Sequence, residues 1–232
     1  MGRNVMIITG TSRGLGKFLA EYYLKNDFFV LGVSRTESSI KHKRYSHFLA
    51  DVSEERSVME FLFEINKKGI SPDILINNAG IASMNHVILT PVHTAEKIFK
   101  VNFLGTFIMS REIAKCMIRK RWGRIVNIST VAVPLKLEGE AVYASSKSAV
   151  EMFTQILARE LISYGITCNC VGPAPIPTDL LKSLPAEKID HLVQKLVIKK
   201  CGECEDVAHT IEFFISQKSG NITGQTIYLG GM

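Results

Sequence analysis

The sequence predicts an α/β fold, a doubly wound and mostly parallel seven-stranded sheet with helices on both faces, and three observations carry that expectation. Short apolar runs alternate with helical patterns along the whole chain, as strands and crossover helices do in a parallel sheet. The first run leads straight into a glycine-rich turn, Gly10 to Gly16, that opens the first helix. The 232 residues, 46% of them hydrophobic, suit one core and contain no repeat, low-complexity tract or linker, so a single domain over residues 1–232 is expected.

In chain order, the apolar run Val5 to Thr9 predicts the first strand, and Leu15 to Asn26 the helix that returns from it. Phe28 to Val33 is a second continuous apolar run, as a strand buried on both faces requires. His47 to Ala50 gives the third strand, Glu54 to Lys67 the next helix, and Ile74 to Ile76 a short fourth strand. The helical stretch Thr94 to Lys120 is expected to bend or break. Strands at Arg124 to Ser129 and Ile166 to Val171 flank a helix from Val142 to Tyr164; Glu205 to Ser216 is the last helix and Thr226 to Leu229 the seventh strand. One segment departs from this rhythm. Four prolines fall between Pro173 and Lys200, and Ile189, Leu192, Val193 and Leu196 follow the spacing of a short amphipathic helix. An inserted helix of this kind predicts a substrate lid at about residues 174–200.

The turn has the pattern Gly-x-x-x-Gly-x-Gly. Glycine allows a tight turn and close approach of a bulky anion, and a helix N-terminus supplies N–H groups. Gly10, Thr11, Ser12, Arg13, Gly14, Leu15 and Gly16 are therefore candidates to hold a pyrophosphate. After the second strand, where an acidic residue would take a ribose diol, stands Ser34-Arg35-Thr36. Arg35 and Arg13 suit a phosphate better, which points to NADP(H), with NAD(H) left open by the nearby Glu37.

Tyr143 and Lys147 lie one helical turn apart on an otherwise apolar segment, which sets a phenol beside a cation. An ammonium favours the phenolate and is expected to lower the tyrosine pKa, making the pair capable of acid/base chemistry.

Composition bounds the rest. The formal net charge of +6 is partly gathered in short basic clusters, Lys41 to Arg44, Arg119 to Arg121 and Lys199-Lys200. These read as solvated loops and helix ends rather than a nucleic-acid stripe, because Trp122 alone brings an aromatic to one of them. No stretch approaches a membrane span, and the apolar pattern begins at Val5, so a cytoplasmic protein is expected. Five cysteines fit a reducing compartment, with Cys168 and Cys170 facing the same way from a strand. The Cys201-x-x-Cys204 spacing has no second pair to complete a zinc site, and no metal is expected.

Taken together, the chain resembles the short-chain dehydrogenase/reductase family, in its short single-domain branch with a Rossmann-type fold. Further segments carry the likeness: Asp51-Val52 after the third strand, Asn77-Asn78-Ala79-Gly80 after the fourth, Asn102 in a helix, and Pro173 to Thr178. The resemblance implies that Asp51 and Val52 contact adenine, that Asn78, Ala79 and Gly80 line the cofactor, and that Pro173, Ile176 and Thr178 adjoin the nicotinamide. It implies that Tyr143 passes a proton to the substrate oxygen as hydride moves from nicotinamide to a carbonyl carbon. Lys147 then holds the nicotinamide ribose, and Asn102 supports a water chain to the lysine. The third family residue, usually serine, falls on Thr130. Adjacent strand residues face opposite sides, so register turns Thr130 to the substrate and Ser129 away.

Within the family the chain looks most like the 3-oxoacyl-[acyl-carrier-protein] reductases, through Arg124 to Ile128, Gly165 to Asn169 and Thr223-Gly224-Gln225. That implies a small carbonyl substrate or an acyl thioester, with an acyl carrier protein docking at Arg121 near the active-site rim, although Tyr164 replaces the second family arginine. Arg119, Lys120 and Lys182 offer alternative cations. The resemblance also implies a homotetramer, for which Phe107, Ile108, Met152, Phe153, Ile156 and Leu157 are available. A different class of protein, a nucleotide-binding regulator with little turnover, is motivated by Thr130 and the basic surface.

Overall fold

The computed structural model describes residues 4–178, 181 and 186–231. Seven strands form one all-parallel sheet: β1 (Val5–Thr9), β2 (Phe29–Ser34), β3 (Tyr45–Leu49), β4 (Ile74–Asn77), β5 (Gly123–Ile128), β6 (Ile166–Gly172) and β7 (Thr226–Tyr228). Their spatial order is β3-β2-β1-β4-β5-β6-β7. The order reverses between β1 and β4, and at such a crossover the loops leaving the strands part to form a crevice.

The helices are α1 (Gly14–Lys25), α2 (Glu55–Lys67), α3 (Val92–Phe99), α4 (Gly105–Lys120), α5 (Ala132–Leu135), α6 (Ala141–Leu161), α7 (Ala186–Gln194) and α8 (Cys204–Ile215). Both sheet faces are buried, which explains the nearly unbroken apolar strands. On one face Ile7, Leu31, Leu75, Ile125 and Cys168 pack against α2, α4 and α6; on the other Met6, Ile8, Ile76, Val126 and Val171 pack against α1 and α8. Inside the first face a polar thread joins two central strands to two helices. Asn77 Nδ2 donates to Ser110 Oγ at 2.9 Å and Asn127 Oδ1 at 2.8 Å, and Asn127 Nδ2 donates to Thr154 Oγ1 at 2.8 Å. These bonds tie β4 and β5 to α4 and α6, and among the described residues Asn77 Oδ1 is the one amide atom of the thread left buried without a partner.

The expected break between Thr94 and Lys120 is one turn of π-helix, Lys100–Leu104, joining α3 to α4. A π turn inserts an extra residue into the helical ladder and re-aims side chains; here it carries the fully buried Asn102. β3 begins at Tyr45 rather than His47, because Tyr45 and Ser46 continue the pairing with Val30 and Leu31. Within the segment expected to form a lid, α7 and Leu181 are described, whereas residues 179–180 and 182–185, including Lys182, lie outside the described residues. Of the apolar residues on α4 and α6, Ile108 and Leu157 belong to the core, while Met152 and Ile156 are exposed. Among the described residues no helix is long and apolar enough to cross a membrane.

Candidate active site

A cleft of about 970 Å³ opens at the carboxyl ends of the strands. Its cofactor half is built by β1, β2 and the loops after them. Gly10 (φ +78°) and Gly14 (φ +55°) adopt left-handed backbone, and Gly10 N donates to Val33 O at 2.7 Å, which pins the turn to β2. Helix α1 starts at Gly14, and its N-cap, Arg13, makes no side-chain capping bond. The first-turn N–H groups are thus presented without a capping side chain, as an anion requires. Ser12, Arg13, Gly14, Leu15, Arg35, Asp51 and Val52 line this half, as do Asn78, Ala79 and Gly80. Thr11 and Gly16 are buried beneath the turn. Ser34 also lines the cleft, but its hydroxyl is turned to its own loop and donates to Thr36 O at 2.7 Å. Asp51 Oδ1 likewise accepts from Ser53 N at 3.0 Å and Ser53 Oγ at 2.7 Å. The glycine cradle, bare helix terminus and two exposed arginines fit a phosphorylated dinucleotide.

The reacting half comes from β4 to β6. Thr130 follows β5 and lines the cleft beside Tyr143, and its Oγ1 accepts from Ala132 N at 3.2 Å. Ser129 points the other way and donates to the buried Glu151, which is the alternation the strand period predicts. Lys147, one turn after Tyr143 on α6, is buried and donates from Nζ to Ile128 O at 2.7 Å. Pro173, Ile176 and Thr178 line the same space.

The electrostatics correct one expectation. Tyr143 packs on the apolar cluster of Ala132, Leu137 and Leu192, and burial, aided by the Glu140 carboxylate, pushes its pKa up to about 12 against the lowering by Thr130. Lys147 does not figure among the groups that shift it. Its own pKa falls to about 8, because burial outweighs the charges of Cys170 and Glu151. Desolvation wins at both groups because each sits among apolar side chains and little water is left to solvate either charge.

Asn102 does not line the cleft. Its Oδ1 accepts from Ile81 N at 2.8 Å, and its Nδ2 donates to Ile81 O and Ser146 Oγ, both at 2.9 Å. The side chain therefore ties the Asn-Asn-Ala-Gly loop to the helix carrying Tyr143, which makes it a positioning residue. A Cβ at Gly80 would lie 3.3 Å from Asn102 Oδ1 and 3.4 Å from Lys147 Nζ, so this glycine keeps the space between them open. Sequence reasoning placed Leu192 on the inserted helix but missed the rest of the wall it joins, Met84, Leu137 and Glu140, which also line the cleft; no motif marks those two segments.

Arg121 is not at the rim of this chain's own cleft. It immediately precedes β5, whereas Thr130 follows it, so the strand separates them by roughly 20 Å. Arg121 Nη2 is exposed and donates to Ser163 O at 3.0 Å, and Lys120 is paired with Asp73 at 2.5 Å.

Such a cleft, joining a dinucleotide turn to a Thr-Tyr-Lys cluster, defines a nicotinamide-dependent oxidoreductase of the Rossmann type. The family model described as short chain dehydrogenase matches residues 4–189, and the chain belongs to that family. It is 36% identical to the 3-oxoacyl-[acyl-carrier-protein] reductase FabG of Buchnera aphidicola subsp. Schizaphis graminum, over 99% of this chain and 96% of that one. Against the FabG of Vibrio cholerae the identity is 32%, covering 98% and 96%. Among solved structures, ElxO with NADP bound superimposes with a TM-score of 0.89 at 31% identity, covering 99% and 97%. A 4-hydroxyisoleucine dehydrogenase complexed with NADH gives 0.92 at 26% identity, covering 99% and 98%. The chain is accordingly an oxidoreductase acting on CH–OH or carbonyl groups.

Proposed function

We propose that the protein is an NADPH-dependent ketoreductase in which Tyr143 is the proton donor. The observation that carries this reading is that Thr130, Tyr143 and Lys147 line the same cleft as the glycine turn and Arg35. The residues that would hold NADP(H) are the turn from Gly10 to Gly16, Arg35, Asp51-Val52, Asn78 to Gly80, Lys147 and Pro173 to Thr178; the bound nicotinamide supplies hydride. Tyr143, protonated at neutral pH, gives its proton to the carbonyl oxygen. Thr130 orients that oxygen and stabilises the phenolate left behind, since its hydroxyl both donates and accepts. Lys147 contributes positive charge beside the cleft.

A 3-oxoacyl thioester is the more specific substrate reading, favoured by the FabG relatives. With Arg121 at the far end of β5, an acyl carrier bound there serves the cleft of another copy. The exposed Leu104, Met152 and Ile156 on the α4/α6 face support assembly as a homotetramer, and five free cysteines support a cytoplasmic location.

The test follows NADPH oxidation with ketones, sugars and 3-oxoacyl thioesters; no turnover of any carbonyl would favour the regulator reading. Two variants refine it. Arg35→Ala is expected to lower NADPH affinity about tenfold to a hundredfold and leave NADH binding within about twofold, as loss of charge-assisted phosphate bonds implies. An unchanged NADPH/NADH ratio removes the phosphate role of Arg35. Thr130→Val is expected to lower kcat/KM about tenfold to a hundredfold, with Thr130→Ser close to the parent, because the hydroxyl rather than the methyl is used. Steady-state kinetics on the best carbonyl decides, and an active Thr130→Val variant would sink the role given to that hydroxyl.

A further inference from the structure

Beneath the adenosine end of the cleft lies a polar cluster that no step of the reduction uses. Tyr45 and His47 stand two residues apart on edge strand β3 and share a face, their rings stacked at 6.0 Å with 29° between planes. Neither side chain lines the cleft. His47 Nε2 lies 3.0 Å from Thr36 O and 3.2 Å from Ser34 Oγ. A carbonyl only accepts, so Nε2 carries a proton and donates to it. With the ring proton on Nε2, His47 Nδ1 accepts from Tyr45 Oη at 2.8 Å, and Tyr45 Oη lies 3.2 Å from the Thr11 hydroxyl.

The Tyr45 hydroxyl reaches Thr11 across β2 because Gly32 leaves a notch there. A Cβ at Gly32 would lie 2.1 Å from Tyr45 Oη and 2.5 Å from Thr11 Oγ1. The hydrogen-bonded path Thr11–Tyr45–His47–Thr36 thus runs from the buried floor of the glycine turn to the residue after Arg35. Beyond Ser34 the backbone leaves the pairing of β2 with β3, whose last partner is Leu49. Thr36 O is therefore held from β3 by a side chain instead of by the ladder. Arg35 itself is exposed and lines the cleft. Its backbone is anchored on both sides, by Ser34 in the strand and by Thr36, whose carbonyl accepts from the Ser34 hydroxyl at 2.7 Å and from His47 at 3.0 Å.

We propose that Tyr45 and His47 are positioning residues for cofactor choice: they fix the Ser34–Thr36 segment relative to the glycine turn, so that Arg35 meets the adenosine phosphate of NADP(H) already ordered. The proposal rests on the assignment of Arg35 to that phosphate. An ordered loop binds more tightly than a loose one because less freedom is lost on binding. NAD(H), which lacks the phosphate, gains nothing from an ordered Arg35, so the effect falls on one cofactor alone.

The test is fluorescence titration of the full chain with NADPH and NADH separately. His47→Leu is expected to weaken NADPH about fivefold to tenfold, the effect of losing one to two net hydrogen bonds, with NADH within about twofold. His47→Gln, which keeps a donor toward Thr36 O, is expected to recover most of the loss. Combining His47→Leu with Arg35→Ala is expected to weaken NADPH no further than Arg35→Ala alone, because the histidine acts through the arginine. A purely structural role would weaken both cofactors together. Tyr45→Phe, which removes a single oxygen, carries the same test if His47→Leu fails to fold, with a smaller NADPH-selective loss expected. The proposal is overturned if these variants leave the NADPH/NADH ratio at the parental value while Arg35→Ala collapses it. If Arg35→Ala itself leaves the ratio unchanged, the phosphate reading of Arg35 falls, and the proposal with it.

Discussion

Tyr143→Phe is expected to lower kcat for carbonyl reduction roughly a thousandfold, within the range that a positioned general acid contributes, while NADPH binding stays within about twofold of the parent. In the proposed mechanism the phenol is the donor; burial and the neighbouring Glu140 hold its pKa at about 12, so it is protonated throughout the neutral range. Removing the hydroxyl leaves the ring packed on Ala132, Leu137 and Leu192, and folding should be little disturbed. The sign of the pH dependence follows from Lys147. With a pKa lowered to about 8, the lysine is charged below that pH and neutral above it. The ratio kcat/KM reports the free enzyme, so it is expected to be flat near neutrality and to decline as pH rises through about 8. Stopped-flow or steady-state NADPH oxidation across that range measures both effects. A Tyr143→Phe variant as fast as the parent would remove the phenol from the mechanism.

Gly16→Ala should have the next largest effect, and it acts on the other half of the cleft. A Cβ on Gly16 would stand 2.2 Å from Gly10 O and 2.4 Å from Asn78 Nδ2. Both neighbours are anchored. Gly10 N is bonded to Val33 O, and Asn78 Nδ2 donates to Thr9 O at 2.9 Å. The methyl therefore forces α1 away from the turn or breaks the Asn78 bond, an overpacking cost of about 1–3 kcal/mol. That corresponds to a fall in Tm of roughly 3–10 °C for a chain of this size. Since the displaced groups shape the anion cradle, NADPH is expected to bind about a hundredfold more weakly. Gly220→Ala is the control, because its Cβ would meet nothing closer than 3.7 Å. Thermal unfolding and cofactor titration on the two variants decide; a Gly16→Ala protein with parental Tm and affinity contradicts the close approach.

The central strands were legible because burial on both faces turns them into continuous apolar runs, and β1 has the predicted ends. The edge was harder. Tyr45 and Ser46 are polar or amphipathic residues on a strand with one neighbour, so nothing in the hydropathy separates them from the loop before them. At the site, the opposite orientations of Ser129 and Thr130 could be read from a period of two, which sterics fixes. The direction of the Tyr143 shift could not, because it depends on how deeply the folded chain buries the phenol. The partners of Asn102 were hidden for a similar reason: Ile81 and Ser146 lie 21 and 44 residues away. The position of Arg121 did have a signal. It precedes the fifth strand while Thr130 follows it, and chain direction alone puts them at opposite ends of the sheet.

The reversal of strand order between β1 and β4 has a consequence for how this molecule can change over evolutionary time. Apart from the Asn78–Gly80 loop, the surfaces read here as gripping the adenosine and phosphates come from the first 52 residues, whereas Thr130, Tyr143, Lys147 and the wall around them lie beyond residue 80. At the cleft the two sets meet along a seam where Asn78 and Ala79 bond to Thr9, while beneath it β1 pairs with β4 and both cores draw on both halves of the chain. A crossover between genes falling near that seam exchanges the choice of reductant and the choice of substrate as separate heritable parcels. Divergence in the cleft loops of one parcel need not disturb the other, provided the β1–β4 pairing, the shared cores and the bonds to Thr9 are kept.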